Sequence, residues 1–98
     1  MFDWDDANVA HCARHDVSPH EAEEAYNSNP LYLDYSLEDG EERHHEIGET
    51  LAGRILLIVS TIRGDSVRIV TAYTPNRAWR LAYLEFKESE PYGKAGHS

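Results

Sequence analysis

One cysteine in 98 residues, Cys12, leaves no partner for an internal disulfide and suits a reducing compartment. Long apolar runs are missing as well. The longest, Ile55 to Val59, falls far short of the ~20 residues of a membrane-spanning helix. The opening M-F-D-W-D-D is acidic where a secretory signal would be basic, so a cytoplasmic protein is expected. No G-x-S-x-G, phosphate-cradling glycine loop or dinucleotide fingerprint occurs, which leaves those enzyme classes without support. Basic residues are scarce, nine Lys and Arg against eighteen Asp and Glu, for a net charge of −9. The length permits one domain with a modest core, and a hydrophobic content of 41% excludes wholesale disorder.

The charge is unevenly spread. Residues 1–50 carry fourteen acids against Arg14 and Arg43, whereas residues 51–98 carry seven bases against four acids. A polyanion would be repelled by the first half and met only by the second. The same pattern also fits acidic helices that keep the chain soluble and arginines that pair with them.

Periodicity predicts an α+β fold with two N-terminal helices, a four-stranded antiparallel meander and a C-terminal helix. A short helix is expected over residues 6–14, capped by Asp5 or Asp6, with Val9, Cys12 and Ala13 inward. Ser18, Pro19 and Glu21 mark the start of a second helix with a cap hydroxyl, an N1 proline and a capping-box glutamate. Ala22, Ala25 and Tyr26 form its inward stripe, and Asn27 to Pro30 stop it. From Leu31 the period changes to two, and a turn is expected over residues 38–42. Strands follow at Arg43 to Thr50, Arg54 to Ile62 and Val67 to Tyr73, the last pair joined by a Gly64-Asp65 hairpin turn. Thr74-Pro75 introduces a helix with Trp79, Ala82, Tyr83 and Phe86 on one face. The domain is expected over residues 2–88, with a frayed tail over 89–98.

Six histidines raise the question of a metal. His11 and His15 share a helix face, but Cys12 points about 100° from His11 and falls on the inward stripe, so no metal site is expected. His44 and His45 are consecutive on a strand and face opposite sides, so one of them can enter a site but not both. Arg54, Arg63 and Arg68 come from the two strands with the strongest β pattern, and Arg77 and Arg80 share one side of the last helix. Guanidinium forks match phosphate geometry and stay charged at any working pH. Tyr73, Trp79 and Tyr83 offer rings for base stacking, although helical spacing makes Trp79 a core anchor first.

Several strings together resemble the BrnT toxin family: F-D-W-D-D-A-N at 2–8, A-R-H-D-V-S-P-H-E-A-E-E-A at 13–25, E-R-H-H-E-I-G at 42–48, G-R-I-L-L-I-V at 53–59 and V-R-I-V-T-A-Y at 67–73. The resemblance implies a RelE-like fold, a metal-independent ribonuclease toxin of a type II toxin–antitoxin pair, and a small DNA-binding antitoxin as partner. It implies no cofactor and no membrane, with a homodimer or a toxin–antitoxin hetero-oligomer as the assembly. Family positions fall on Arg14, His15, Arg54 and Arg68. Two depart: the family's closing arginine is Tyr73, and the glycine before V-S is Asp16. The family's R-R-E-R-R becomes R-A-W-R-L at 77–81, which retains Arg77 and Arg80. The expected site has Arg54 and Arg68 on the scissile phosphate and His15, Tyr73 or Tyr83 moving protons. Arg14, Arg63, Arg77 and Arg80 are expected to hold RNA. All of it requires the guanidiniums to converge on one uncovered flank, within about one ~10 Å screening length. The other reading is an interaction module that keeps the fold, lacks catalysis and binds an antitoxin-like partner.

Overall fold

The computed structural model describes residues 1–89. The tail expected over 89–98 lies outside them, except for Ser89, which ends the last helix. Two helices come first, α1 (Asp6–Ala13) and α2 (Pro19–Tyr26). Four strands follow, β1 (Leu31–Glu38), β2 (Glu41–Glu49), β3 (Ile55–Arg63) and β4 (Ser66–Tyr73), and then α3 (Arg77–Ser89). The sheet order is β1-β2-β3-β4 with every neighbouring pair antiparallel, the meander that the short connections predict.

Asp5 caps α1 through a reciprocal pair: its carboxylate accepts from Ala7 and Asn8 N–H, and the Asn8 amide oxygen accepts from Asp5 N–H. The inward stripe differs from expectation. Val9 is 36% exposed, and Asn8 is buried beside Cys12 instead. Asn8 earns no penalty there, because its Nδ2 donates to the carbonyls of Asp3 and Ile69 at 2.9 Å each. A polar residue thus stitches α1 to β4, which hydrophobic periodicity cannot show. In α2 the Ser18–Glu21 box forms as expected.

The first hairpin is tighter than the expected five-residue turn. Asp39 and Gly40 alone make it, with φ of 53° and 78°. Two left-handed residues match the right-handed twist of the flanking strands, so β2 begins at Glu41 rather than Arg43. The second tight hairpin is Gly64-Asp65, as expected, with Gly64 at φ 61°.

Both faces of β3 are covered, which explains its unbroken apolar run. Leu56 and Ile58 pack with Cys12, Val17, Ala22, Ala25, Ile69 and Ala72 beneath α1 and α2. Leu57 and Val59 face the other way and pack with Ile47 and Tyr83 beneath α3. The first layer is close: a Cβ on Gly48 would collide with the Ala25 carbonyl. Ser28 closes this junction, donating to Ala25 O at 2.7 Å and accepting from Glu49 N at 3.0 Å.

Candidate functional site

The strand arginines do not converge. Arg68 curls over the sheet edge to the start of α1, where Nη2 donates to Asp5 Oδ1 at 3.1 Å. Its Nη1 lies 3.0 Å from Asp5 Oδ2 and 3.6 Å from Asp3 Oδ2, and the side chain is only 12% exposed. The hydrogen bond from Arg68 is the main cause holding the Asp5 carboxyl below its usual range. Two carboxylates on one guanidinium leave surplus negative charge, which repels an incoming phosphate. The residues anchored there belong to an N-terminal segment that lies along β4, with Asp3 N donating to Val67 O and Val67 N to Met1 O.

Arg54 lies at the other end of α1. Its Nη1 donates to Asp16 O at 2.6 Å and to both Glu21 oxygens at 3.2–3.3 Å, and its Nη2 donates to His15 O at 3.2 Å. A cation on carbonyls just past a helix C-terminus is favoured by the negative end of the helix dipole. Asp16 has φ 59°, a left-handed conformation suited to glycine, so the glycine of the family pattern has a backbone reason at this position. The eight residues of α1 rise ~12 Å in all, so Arg54 and Arg68 are separated by more than one helix length. Arg63 is held by Glu41 at 3.1 Å beside the opposite hairpins. Arg54 and Arg68, expected together on the phosphate, are thus held at opposite ends of α1, and Arg54, Arg63 and Arg68 each close a structural contact.

A concave site lies instead on the α3 side of the sheet. A cavity of about 300 Å³ is lined by Leu33, Asp34, Tyr35, Ser36, His45, Leu57, Tyr73 and Trp79. The register explains how these residues meet. His45 stands opposite Val59 and Leu57 opposite Tyr73, all on one face, and a bulge in β1 at Leu33 places Asp34 opposite His45. Ser36 Oγ sits 3.3 Å from His45 Nε2. Tyr73 also reaches the end of α1, its ring centroid 5.4 Å from that of His15. Asn76 accepts from Trp79 N–H at 2.9 Å and so caps the start of α3 at the cavity's rim.

Trp79, expected as a core anchor, is 43% exposed at this rim. Tyr83 takes the core role: it is fully buried, and its hydroxyl donates to Glu49 Oε1 at 3.2 Å. That burial removes Tyr83 from contact with a substrate. Arg77 and Arg80 are exposed on the first turn of α3, and no ion pair engages either among the described residues. Arg14 is likewise exposed, at the end of α1. His45 is the member that sequence reasoning left unassigned. The signal was the His44-His45 pair, and the structure sends His44 to the opposite face, where Tyr32 Oη lies 3.0 Å from its Nδ1.

No trio of His, Cys, Asp or Glu able to hold a metal ion occurs among the described residues. Cys12 is fully buried in the α1 layer, and burial pushes its thiol pKa up, away from the thiolate that a metal needs.

The fold defines a class of small α+β proteins, an antiparallel meander with helices on both faces. Residues 4–78 match the family described as "Ribonuclease toxin, BrnT, of type II toxin-antitoxin system", and the chain belongs to that family. The match ends just before Trp79, so most of α3 lies beyond it. A comparison with curated proteins returned no match. No helix among the described residues is long and apolar enough to cross a membrane. A type II toxin family implies an antitoxin protein as partner.

Proposed function

We propose that this chain cleaves RNA without a metal and that the reaction takes place in the cavity between β1 and the start of α3. The observation that carries this reading is the meeting of His45, Tyr73 and Trp79 in one cavity, with the exposed Arg77 and Arg80 on the same turn of α3 as Trp79. In transesterification the ribose 2′-hydroxyl attacks phosphorus in line, one proton leaves, and the departing 5′ oxygen takes another. His45 lines the cavity with an imidazole whose ring nitrogen can accept a proton, and it removes the 2′ proton. The Tyr73 hydroxyl gives the second proton to the departing 5′ oxygen, and the phenolate left behind regains a proton, through solvent, as His45 gives up the one it took. His15, whose ring lies tilted against that of Tyr73, is the alternative donor. Arg77 and Arg80, aided by the positive end of α3, neutralise the phosphate, and Trp79 stacks a base. Arg54 and Arg68 act here as ties that hold α1, not as phosphate ligands. The products are a 2′,3′-cyclic phosphate and a free 5′-hydroxyl.

The test is cleavage of a defined RNA with a chelator present. Chelator-resistant cleavage to a cyclic phosphate is expected, with loss on the order of 100-fold in His45→Gln, as for a missing acid–base group. Cleavage abolished by the chelator, or undiminished in His45→Gln and Tyr73→Phe, overturns this reading. The second reading, a non-catalytic module, is favoured by one observation: Arg54 and Arg68 are both occupied by carboxylates. No cleavage together with binding to an antitoxin would establish it.

A further inference from the structure

The sheet face that α2 covers at one end lies bare at the other. Four large apolar side chains stand there: Tyr32, Tyr35, Leu37 and Ile62 are 50%, 54%, 65% and 55% exposed. Register places them on one side, since Tyr35 pairs with His44, His44 with Ser60, and Leu37 with Glu42. A hollow of about 390 Å³, lined by Gly40, Glu41, Glu42, His44, Thr61 and Ile62, runs through the strip. On this face Tyr32, Tyr35 and Leu37 of β1 and Ile62 of β3 flank a polar row, Glu42, His44 and Glu46 of β2, so the strip offers apolar and acidic contacts side by side, as a contact surface does.

Charge decides what fits. Asp39 and Glu42 are exposed at the strip, Glu46 is half-buried within it, and no ion pair to Lys or Arg engages any of the three among the described residues. RNA would be repelled. A second copy of the chain would set these carboxylates against themselves. The bulge at Leu33 interrupts the edge of β1, so a partner finds the face more accessible than the edge. We propose that this face receives a protein segment that is apolar on one side and rich in lysine and arginine, and that it is the toxin-binding segment of the antitoxin. The identity of the partner rests on the family membership; the chemistry of the segment rests on the face alone.

The probe is an amphipathic leucine–lysine peptide, with a leucine–glutamate counterpart as control, followed by fluorescence anisotropy against the full chain without RNA. Only the leucine–lysine peptide is expected to bind. Leu37→Lys with Ile62→Lys weakens it by about tenfold or more, through lost apolar burial and added repulsion. Glu85→Lys, on α3 across the sheet, changes the net charge by the same amount and leaves binding unchanged. Leu37→Ser with Ile62→Thr serves as a second, uncharged pair if the lysine pair fails to fold. Equal losses in Glu85→Lys would reduce the effect to bulk charge and overturn the proposal. So would insensitivity to both strip pairs, or a sedimentation shift showing that the strip joins two copies. Because no RNA is present, failure here is distinct from failure of the nuclease reading.

Discussion

The two layers flanking the sheet are built differently. Under α1 and α2 the contacts are small and close: Cys12, Ala22, Ala25 and Gly48 allow the helices to lie almost on the strands. Under α3 one fully buried ring, Tyr83, supports the helix, and a cavity remains between its start and β1. The arginines divide along the same line. Those tying the first layer and the hairpins are occupied by carboxylates, whereas among the described residues no carboxylate engages Arg77 or Arg80 on α3. The first layer is closely packed, and the second leaves room for a ligand. A guanidinium in a sequence is therefore no evidence of an anion site until its carboxylate partners are counted.

The sharpest way to break the closed layer is Gly48→Ala. The new Cβ meets backbone, the Ala25 carbonyl, which cannot rotate away. A loss of about 3 kcal/mol or more is expected in urea unfolding. Gly40→Ala serves as comparison, because nothing lies within 4 Å of its Cβ and only its φ of 78° opposes the change. That costs about 1 kcal/mol. Equal losses in the two variants would show that α2 does not press on β2 as described.

Arg68→Ala comes next, at about 1–2 kcal/mol, since it leaves Asp3 and Asp5 facing each other and releases the N-terminal segment. Asp5, Glu21 and Glu41, all held below their ordinary range, set the acid limb. Their contribution is present above about pH 4, the ordinary carboxylate range, and is lost as pH falls through the lowered folded values. Arg68→Ala should remove the Asp5 part of that limb. An activity loss with unchanged stability and an unchanged acid limb would instead return Arg68 to the catalytic site.

Local rules carried most of the fold. The Ser18–Glu21 box, the Gly64 turn and the meander all follow from short-range chemistry that any one segment contains. The site was less legible, because it depends on which charges find each other across 30 to 60 residues. Arg68 and Asp5 are 63 apart, and Arg54 and Glu21 are 33 apart. Nothing in the periodicity of either partner announces the pairing. Trp79 and Tyr83 show the same limit within one helix. Both sit on the apolar stripe, yet only Tyr83 enters the core while Trp79 stays at the cavity's rim, a difference that their spacing does not show. His45 was within reach, since consecutive strand residues must face opposite sides, but its companions in the cavity come from β1, β3, β4 and α3.

For the open layer, Trp79→Ala should change stability by less than about 0.5 kcal/mol, as at other partly exposed positions. RNA affinity should fall by about tenfold, the size of one lost stacking contact. A large stability loss would mean that Trp79 is a core anchor after all, and that the cavity is only a gap in the packing.

The smallest effect separates the two faces by pH. Glu46 lies opposite Tyr32 and Ile58 on the α2 side, and burial pushes its carboxyl pKa up, with His44 pulling the other way. The folded state therefore holds the Glu46 proton more tightly than the unfolded chain does. As pH rises from about 4 through the folded value, this residue costs stability, opposite in sign to Asp5 and Glu21. Glu46→Gln, uncharged at every pH, should be slightly more stable than the parent at pH 7, with the difference vanishing toward pH 4. Half-burial keeps the gain small, so paired urea titrations at the two pH values are the measurement. A gain of equal size at both pH values would point to packing rather than ionisation, and a loss at pH 7 would mean that the carboxylate is held by a favourable contact with His44 that outweighs its burial.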